Sequence, residues 1–202
     1  MRGLPLMILL VASPAAAADC AKLIDGHSPL TGAGTQKLGD DAPAALALTI
    51  ERPGHAIVII HKDGASQDTR SEYDRQMLVS ANAAGGVGAL SFRLEPGTGD
   101  PWSLEAGASA TCRQGVLRDG ELAGVEIVVQ TVAAHEKRTL SGCEIEIVPI
   151  RREIGLLGGS SQRLSQIDYA PALGFPLRIV TEFTGRAGQQ RIETEIDSLE
   201  AK

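Results

Sequence analysis

The chain has 202 residues, with 19 Lys and Arg against 25 Asp and Glu, for a formal net charge of −6. That acidic balance, with no basic cluster to offset it, argues against nucleic acid and anionic lipid headgroups as partners. One Trp, two Tyr and three Phe are too few for the stacking platforms that recognise sugars and bases. Ile, Val, Leu and Ala are left to build the core.

Residues 1–18 read as a secretory signal. Arg2 supplies the positive start, residues 4–11 (LPLMILLV) the apolar core, Ser13-Pro14 a break, and Ala15 to Ala18 the small residues that a signal peptidase reads. The apolar core is too short to cross a bilayer as a helix. Cleavage after Ala18 leaves Asp19-Cys20 at the mature N-terminus and 202 − 18 = 184 residues, enough for one domain with a real core. Arg2 leaves with the signal, so the mature charge is 18 − 25 = −7. A lipoprotein signal wants a small residue before its cysteine; Asp19 stands there and argues against a lipid anchor at Cys20. No later run of the chain approaches transmembrane length. The expectation is a soluble periplasmic protein.

Residues 19–43 are rich in Gly, Pro, Thr and Asp and are expected to form an irregular lead-in to one β-rich domain, 44–202. Residues 45–51 (ALALTIE) alternate, Arg52-Pro53-Gly54 makes a turn, and residues 56–60 (AIVII) are apolar on both faces, like a central strand ended by Asp63-Gly64. Residues 68–81 satisfy two patterns. Thr69 and Glu72 resemble a capping box and Tyr73 with Met77 fits a helix, yet the stretch also reads as a long polar-faced strand, the reading preferred among neighbouring strands. Residues 83–88 are a Gly/Ala loop, and a strand over 89–95 should stop at Pro96-Gly97. Gly99-Asp100-Pro101 is a further break, and 103–113 a further strand.

Asp119-Gly120 is a two-residue hairpin signal. Val125, Ile127, Val129 and Thr131 share one face of the strand beyond it, and residues 134–138 should turn the chain. Cys143, Ile145 and Ile147 alternate with Glu144 and Glu146 in a half-buried strand. After a loop at 155–161, strands are expected at 165–169, 176–183 and 190–199, the last two joined by a hairpin at 185–188. In that hairpin Ile192 and Ile196 oppose acids on the other face. Turn signals recur about every ten residues with no helical pattern between strands, which indicates an antiparallel sheet and not a βαβ fold.

Residues 168–199 carry a recognisable pattern. Tyr169, Pro171, Leu173, Gly174 and Pro176 form a turn motif between two strands, followed by a glycine-centred turn and Ile196-Asp197-Ser198-Leu199. This ending resembles that of uncharacterised periplasmic proteins with a lipoprotein-carrier-like half-barrel. The resemblance implies a strongly curved antiparallel sheet around an apolar concavity, and it transfers no catalytic residue. The predicted fold class is therefore mainly β, a curved antiparallel sheet (half-barrel or open barrel) with at most one or two short helices.

Three cysteines in an oxidising compartment imply one disulfide and one odd thiol. Cys112 and Cys143 lie in the body of the domain, and their pairing is the expectation, with Cys20 left over. A plain meander through Asp119-Gly120 and a turn near His135 would hold them about 9–10 Å apart, beyond the ~7 Å that a disulfide spans. The pairing therefore requires residues 112–122 to leave the sheet.

No nucleophile motif such as Gly-x-Ser-x-Gly occurs. His55 and His61 share strand parity but sit about 20 Å apart, too far for one metal, and His135-Glu136 lacks the second histidine of a zinc helix. Gly85-Gly86 with Gly88 and Gly158-Gly159 read as flexible turns; Glu144 and Glu146 share a strand face as a carboxylate pair would but read as solvated acids, and Arg151-Arg152 could grip an acidic group but reads as a wet strand end. The sequence thus points to a non-enzymatic periplasmic domain, without cofactor or metal, that binds a lipid or other apolar small molecule or an envelope protein. The alternatives are an envelope hydrolase without a recognisable motif and a structural or assembly protein of the envelope.

Overall fold

The computed structural model describes residues 20–25, 27–51, 56–62, 68–75, 77–82, 89–185 and 188–202. The segment expected to be a secretory signal, the turns expected at 52–54 and 63–64, His55, the loop expected at 83–88 and the tip of the 185–188 hairpin fall outside these. A short helix at 20–24 precedes the strands. These are β1 (Leu30–Leu38), β2 (Ala44–Glu51), β3 (Ala56–Lys62), β4 (Thr69–Asp74), β5 (Met77–Asn82), β6 (Ala89–Thr98) and β7 (Ser109–Arg118). Then follow β8 (Glu121–Val132), β9 (Glu136–Leu140), β10 (Cys143–Leu156), β11 (Gln162–Ala170), β12 (Phe175–Gly185) and β13 (Gly188–Ala201).

The architecture is the curved antiparallel sheet that the sequence predicts. Neighbours in sequence pair from β1 through β8, and β1 also pairs with β13. β10 is bonded at both edges, to β8 and to β11, so the pairings run right round from β10 through β11, β12, β13 and β1 to β8. Among the described residues, the thinnest seam is between β5 and β6, whose ladder holds three residue pairs, Ser80 with Ser91 to Asn82 with Ala89. The first five residues of β10 step away from this ring and pair with β9 instead.

Two tight turns have clear local causes. Asp119 and Gly120 both have positive φ (52° and 86°), the type I′ geometry whose twist matches a hairpin. Ser141 and Gly142 (50° and 79°) repeat it between β9 and β10. Residues 136–138, expected to be part of a turn, are therefore strand, and the chain turns three residues later. This hairpin was obscured because β9 (EKRTL) is polar and buries only Leu140.

The lead-in expected to be irregular holds the short helix and β1. Gly32 and Gly34 hide this strand from propensity, since glycine is a poor strand former. A Cβ on Gly34 would overlap the carbonyl oxygen of Glu195 in β13, so the sheet needs glycine there for close approach. Residues 69–74 and 77–82 are strand and not helix, and they form two strands that pair antiparallel with each other. β6 runs through Pro96-Gly97 by way of a bulge between Glu95 and Thr98, and the next strand begins at Ser109, not 103. In β8 the apolar row Val125, Ile127 and Val129 faces outward; Val128, Gln130 and Val132 are the buried row.

The Cys112–Cys143 pairing is corrected by the structure. The disulfide joins Cys20 to Cys143, with Cα atoms 5.5 Å apart, and Cys112 is a buried free thiol. Residues 109–118 stay in the sheet, where Cys112 opposes Val128 and Val128 opposes Ile154. Cys143 lies eleven residues before Ile154 on β10 (154 − 143), which is about 36 Å of strand. The meander reading failed because β8 pairs with the second half of β10 and not with the residues around Cys143.

Candidate functional site

Two apolar clusters divide the interior. The larger gathers Leu30, Ile50, Ile145, Leu173, Phe175, Leu177, Ile196 and Leu199 around Cys143, with Leu23 of the short helix. The smaller gathers Val132, Val148, Ile150, Ile167 and Tyr169, packed under Leu104 and Ala108. The Tyr169–Pro176 motif links them. The Ala170 carbonyl accepts from the amides of Leu173 (3.0 Å) and Gly174 (2.9 Å), and Gly174 closes the turn with φ of 78°. Leu173 and Phe175 go to the larger cluster and Tyr169 to the smaller; Pro171 is half-buried on the turn itself. Pro176 faces the cavity described next.

Beside the smaller cluster the inward face turns polar. A cavity of about 150 Å³ lies between a wall from β4–β7 (Tyr73, Leu78, Phe92, Gln114) and a wall from β10–β12. The second wall supplies Arg152, Ile154, Arg163, Ser165, Ile167, Ile179, Thr181 and Phe183. Arg152 has the strand phase of Val148, Ile150 and Ile154, and only 6% of its surface is exposed. Its Nε and Nη2 donate to Gln130 Oε1 at 3.3 and 2.8 Å. Gln130 Nε2 in turn donates to the Pro101 carbonyl at 3.2 Å, tying the arginine to the loop 99–108. Arg163 Nη2 donates to both oxygens of Glu126 at 2.6 Å, and Gln114 Nε2 donates to Glu126 Oε2 at 3.2 Å. The hydroxyls of Ser165 and Thr181 are 3.1 Å apart.

Electrostatics follow from this enclosure. Burial lowers the Arg152 guanidinium to about 10, partly countered by Cys112 and Tyr73, with Arg163 pushing the same way as burial. It remains charged at neutral pH. Burial also raises the Cys112 thiol, despite Arg152 nearby, so it is no ready thiolate nucleophile. Desolvation raises Tyr73 to about 12.

The loop 99–108 covers this end. Leu104 and Ala108 pack on the smaller cluster, and the Trp102 ring lies 5.4 Å from Arg75 Cζ. His135 holds the loop from outside: Nδ1 is 2.6 Å from Glu146 Oε1 and Nε2 is 2.7 Å from the Leu104 carbonyl. Lys137 pairs with Glu144 at 2.6 Å and His61 with Asp68 at 2.8 Å, both on the exposed surface. The acids Glu144 and Glu146 are thus ion-paired on the outside of the β9–β10 hairpin and are not brought to the cavity. Among the described residues, no group of three His, Cys, Asp or Glu converges as a metal site would require.

Sequence reasoning passed over Gln130 and Gln114 and took Arg152 for a wet strand end, although it is buried. The signal was present in their phase: each occupies an inward position between apolar residues, such as Ile150-Arg151-Arg152-Glu153-Ile154. The doublet hid it, because Arg151 faces out to Glu153 at 2.8 Å and only Arg152 is buried.

No family model and no curated protein matches the chain. Solved structures do resemble it. The hypothetical lipoprotein YmcC of Escherichia coli is 12% identical, with a TM-score of 0.47 over 95% of this chain and 98% of that one. A candidate lipoprotein of Parabacteroides distasonis is 8% identical, with a TM-score of 0.40 over 86% and 95%. A candidate exported protein with a YmcC-like fold from Bacteroides fragilis is 9% identical, with a TM-score of 0.41 over 86% and 96%.

Proposed function

We propose that this chain is a non-enzymatic binding protein of the cell envelope that takes an apolar small molecule into the cavity between β4–β7 and β10–β12. The observation that carries this reading is the cavity itself, about 150 Å³ with Leu78, Phe92, Ile154, Ile167, Ile179 and Phe183 in its walls. A cavity of that size has room for a benzene-sized molecule. It excludes a whole two-chain lipid. Among the described residues its lining holds no histidine, and Ser165 bonds to Thr181 without a base, which favours binding over hydrolysis.

Export is part of the proposal, with the mature chain starting at Asp19. The Cys20–Cys143 disulfide suits an oxidising compartment. It also occupies the sulfur that a lipid thioether at Cys20 would need. Titration with 1-hexanol, followed through the methyl resonances of Ile154, Ile167 and Ile179, tests the binding reading. Saturable shifts that Ile179→Trp abolishes are expected. Shifts that never saturate, or that survive the filled cavity, would overturn it.

A second reading, docking of an envelope protein, is favoured by a different observation. Leu122, Leu156 and Leu157 are 66%, 39% and 53% exposed. They sit together at one end of β8 and β10, where the Leu157 amide donates to the Val125 carbonyl. Loss of a co-purifying partner from a Leu122→Ser, Leu157→Ser variant that keeps hexanol binding would favour this reading.

A further inference from the structure

We propose that the binding site continues beyond the cavity into an adjoining cleft, and that the ligand is a linear, uncharged amphiphile with its apolar end in the cavity and its polar end in the cleft. This rests on the binding reading above. Ile154, Arg163 and Phe183 line both spaces. They form one row across the sheet, since Ile154 opposes Arg163 and Arg163 opposes Phe183. Two residues along each strand to one side stand Arg152, Ser165 and Thr181, which line the cavity. Two residues to the other side stand Leu156, Ser161 and Gly185, which line a cleft of about 380 Å³. Cavity and cleft are therefore neighbours on the same inward face, separated by a single row of side chains. Four residues of β10, about 13 Å of strand, lead from Arg152 to Leu156.

The junction has an apolar side and a polar side. Ile154 and Phe183 supply the first. The second is an ion-pair network: Arg163 donates to both oxygens of Glu126, and Gln114 donates to the same carboxylate. Gln114 lines the cavity and Glu126 the cleft, so the network runs through the junction from one space to the other. Its two charges match each other, and both side chains are largely buried. A charged group drawn past them would lose its water and meet only charges that are already paired. An alkyl chain loses nothing by the same route and gains contact with Ile154 and Phe183.

The cleft suits the other end of such a molecule. Among the described residues, Arg163 and Glu126 are the only charged side chains in its lining. Ser161 and Gln190 offer a hydroxyl and an amide, which can donate to and accept from an uncharged polar group. Gln190 opposes Phe183 and so extends the junction row onto β13. Leu156 is 39% exposed at the side of the cleft, apolar surface that a chain leaving the cavity would cover.

The test is calorimetry with 1-hexanol, 1-octanol and 1-decanol at neutral pH. Each further methylene that leaves water should tighten binding about fourfold. Affinity should therefore rise at least about thirtyfold from hexanol to decanol. Decanol, unlike hexanol, should shift the methyl resonances of Leu156. Gly185→Trp fills the cleft and not the cavity. A Cβ at 185 meets nothing closer than Ser161 Oγ at 3.8 Å, so the variant should fold. It should bring decanol to within about threefold of hexanol and leave hexanol binding as it was. If circular dichroism shows that it does not fold, Ser161→Trp takes its place, since Ser161 is exposed on the same cleft. Decanoate should bind at least tenfold more weakly than decanol. Hexanol binding that decanol does not exceed would overturn this proposal and leave the cavity reading intact. Binding of neither would overturn both. A decanol preference kept in a folded, cleft-filled variant would place the longer chain elsewhere and overturn the cleft. Decanoate within twofold of decanol would overturn the uncharged end.

Discussion

The two ends of the sheet are built from the same alternating strands and use their inward positions in opposite ways. Around Cys143 those positions are filled by Leu, Ile, Val and Phe, a disulfide and the 170–175 turn. Around Arg152 they hold Gln114, Glu126, Gln130, Arg163 and Ser165 beside a cavity. Filling an interior with apolar side chains at close packing stabilises it; leaving a cavity and buried polar groups forgoes that stabilisation. The larger share of the apolar packing thus lies at one end, while the other combines a smaller buried cluster with buried polar groups and a cavity. β10 runs through both, with Cys143, Ile145 and Ile147 in the packed end and Arg152 and Ile154 in the open one.

The largest effect should come from breaking the packed end. Ile196 is 4% exposed and lies within the larger cluster. Ile196→Asp removes an apolar side chain whose burial contributes about 1.5–3 kcal/mol and puts an unpaired carboxylate in its place. A loss of about 4 kcal/mol or more is expected, against a whole-domain stability of about 5–15 kcal/mol. The melting temperature should fall by roughly 10 °C or more, at about 2–4 °C per kcal/mol for a domain of this size. An unchanged melting temperature would mean that β13 is peripheral and that the two ends do not differ as described.

The disulfide sharpens the same contrast. Cys20–Cys143 closes a separation of 123 residues and fastens the short helix to the larger cluster. Cys20→Ser should cost about 2–4 kcal/mol, lowering the melting temperature by roughly 5–10 °C. Cavity binding should survive wherever the protein remains folded. Peptide mapping without reduction should link Cys20 to Cys143 and leave Cys112 alkylated only after unfolding. A Cys112–Cys143 peptide would contradict the register of β8 against β10.

What the sequence made legible follows from the range of the interactions involved. The β12–β13 hairpin, the alternation at Cys143, Ile145 and Ile147, and the Asp119-Gly120 turn are local patterns, and all three stand in the structure. β1 could not be read, because its glycines answer to the close approach of β13, about 160 residues away, and not to their own propensity. The disulfide failed for a related reason. Its geometry depended on which half of β10 pairs with β8, and no local pattern fixes that offset. The site was legible only in phase: Arg152 and Gln130 stand where the pleat demands an inward residue, yet polar residues in such positions look like surface until the opposite wall is known.

The smallest effect concerns the cover over the open end. Both ring nitrogens of His135 face oxygens that only accept, Glu146 Oε1 at 2.6 Å and the Leu104 carbonyl at 2.7 Å. A neutral imidazole carries one N–H and satisfies one of them; the imidazolium satisfies both. The Leu104 carbonyl, then Glu146, accordingly raise the His135 pKa above its ordinary value, with burial acting weakly against them. The nearby Lys137 is paired with Glu144 and stays charged across this range. A raised folded value means that the protonated form stabilises the fold. That contribution is complete below the ordinary histidine value of about 6.5 and is lost as pH rises through the raised one. Between pH 6 and pH 9 the loop 99–108 should therefore loosen, seen as a falling protection factor (exchange corrected for its intrinsic rise with pH) at Gly107, whose amide donates to the Val132 carbonyl. His135→Ala should show the lower protection factor at every pH, and the two proteins should converge at the alkaline end. The packed end should show no such dependence, since Cys143, Leu173 and Phe175 carry no group that titrates there. A Gly107 protection factor that ignores pH in the native protein, and stays above that of His135→Ala throughout, would show that a neutral histidine holds the loop through one bond alone.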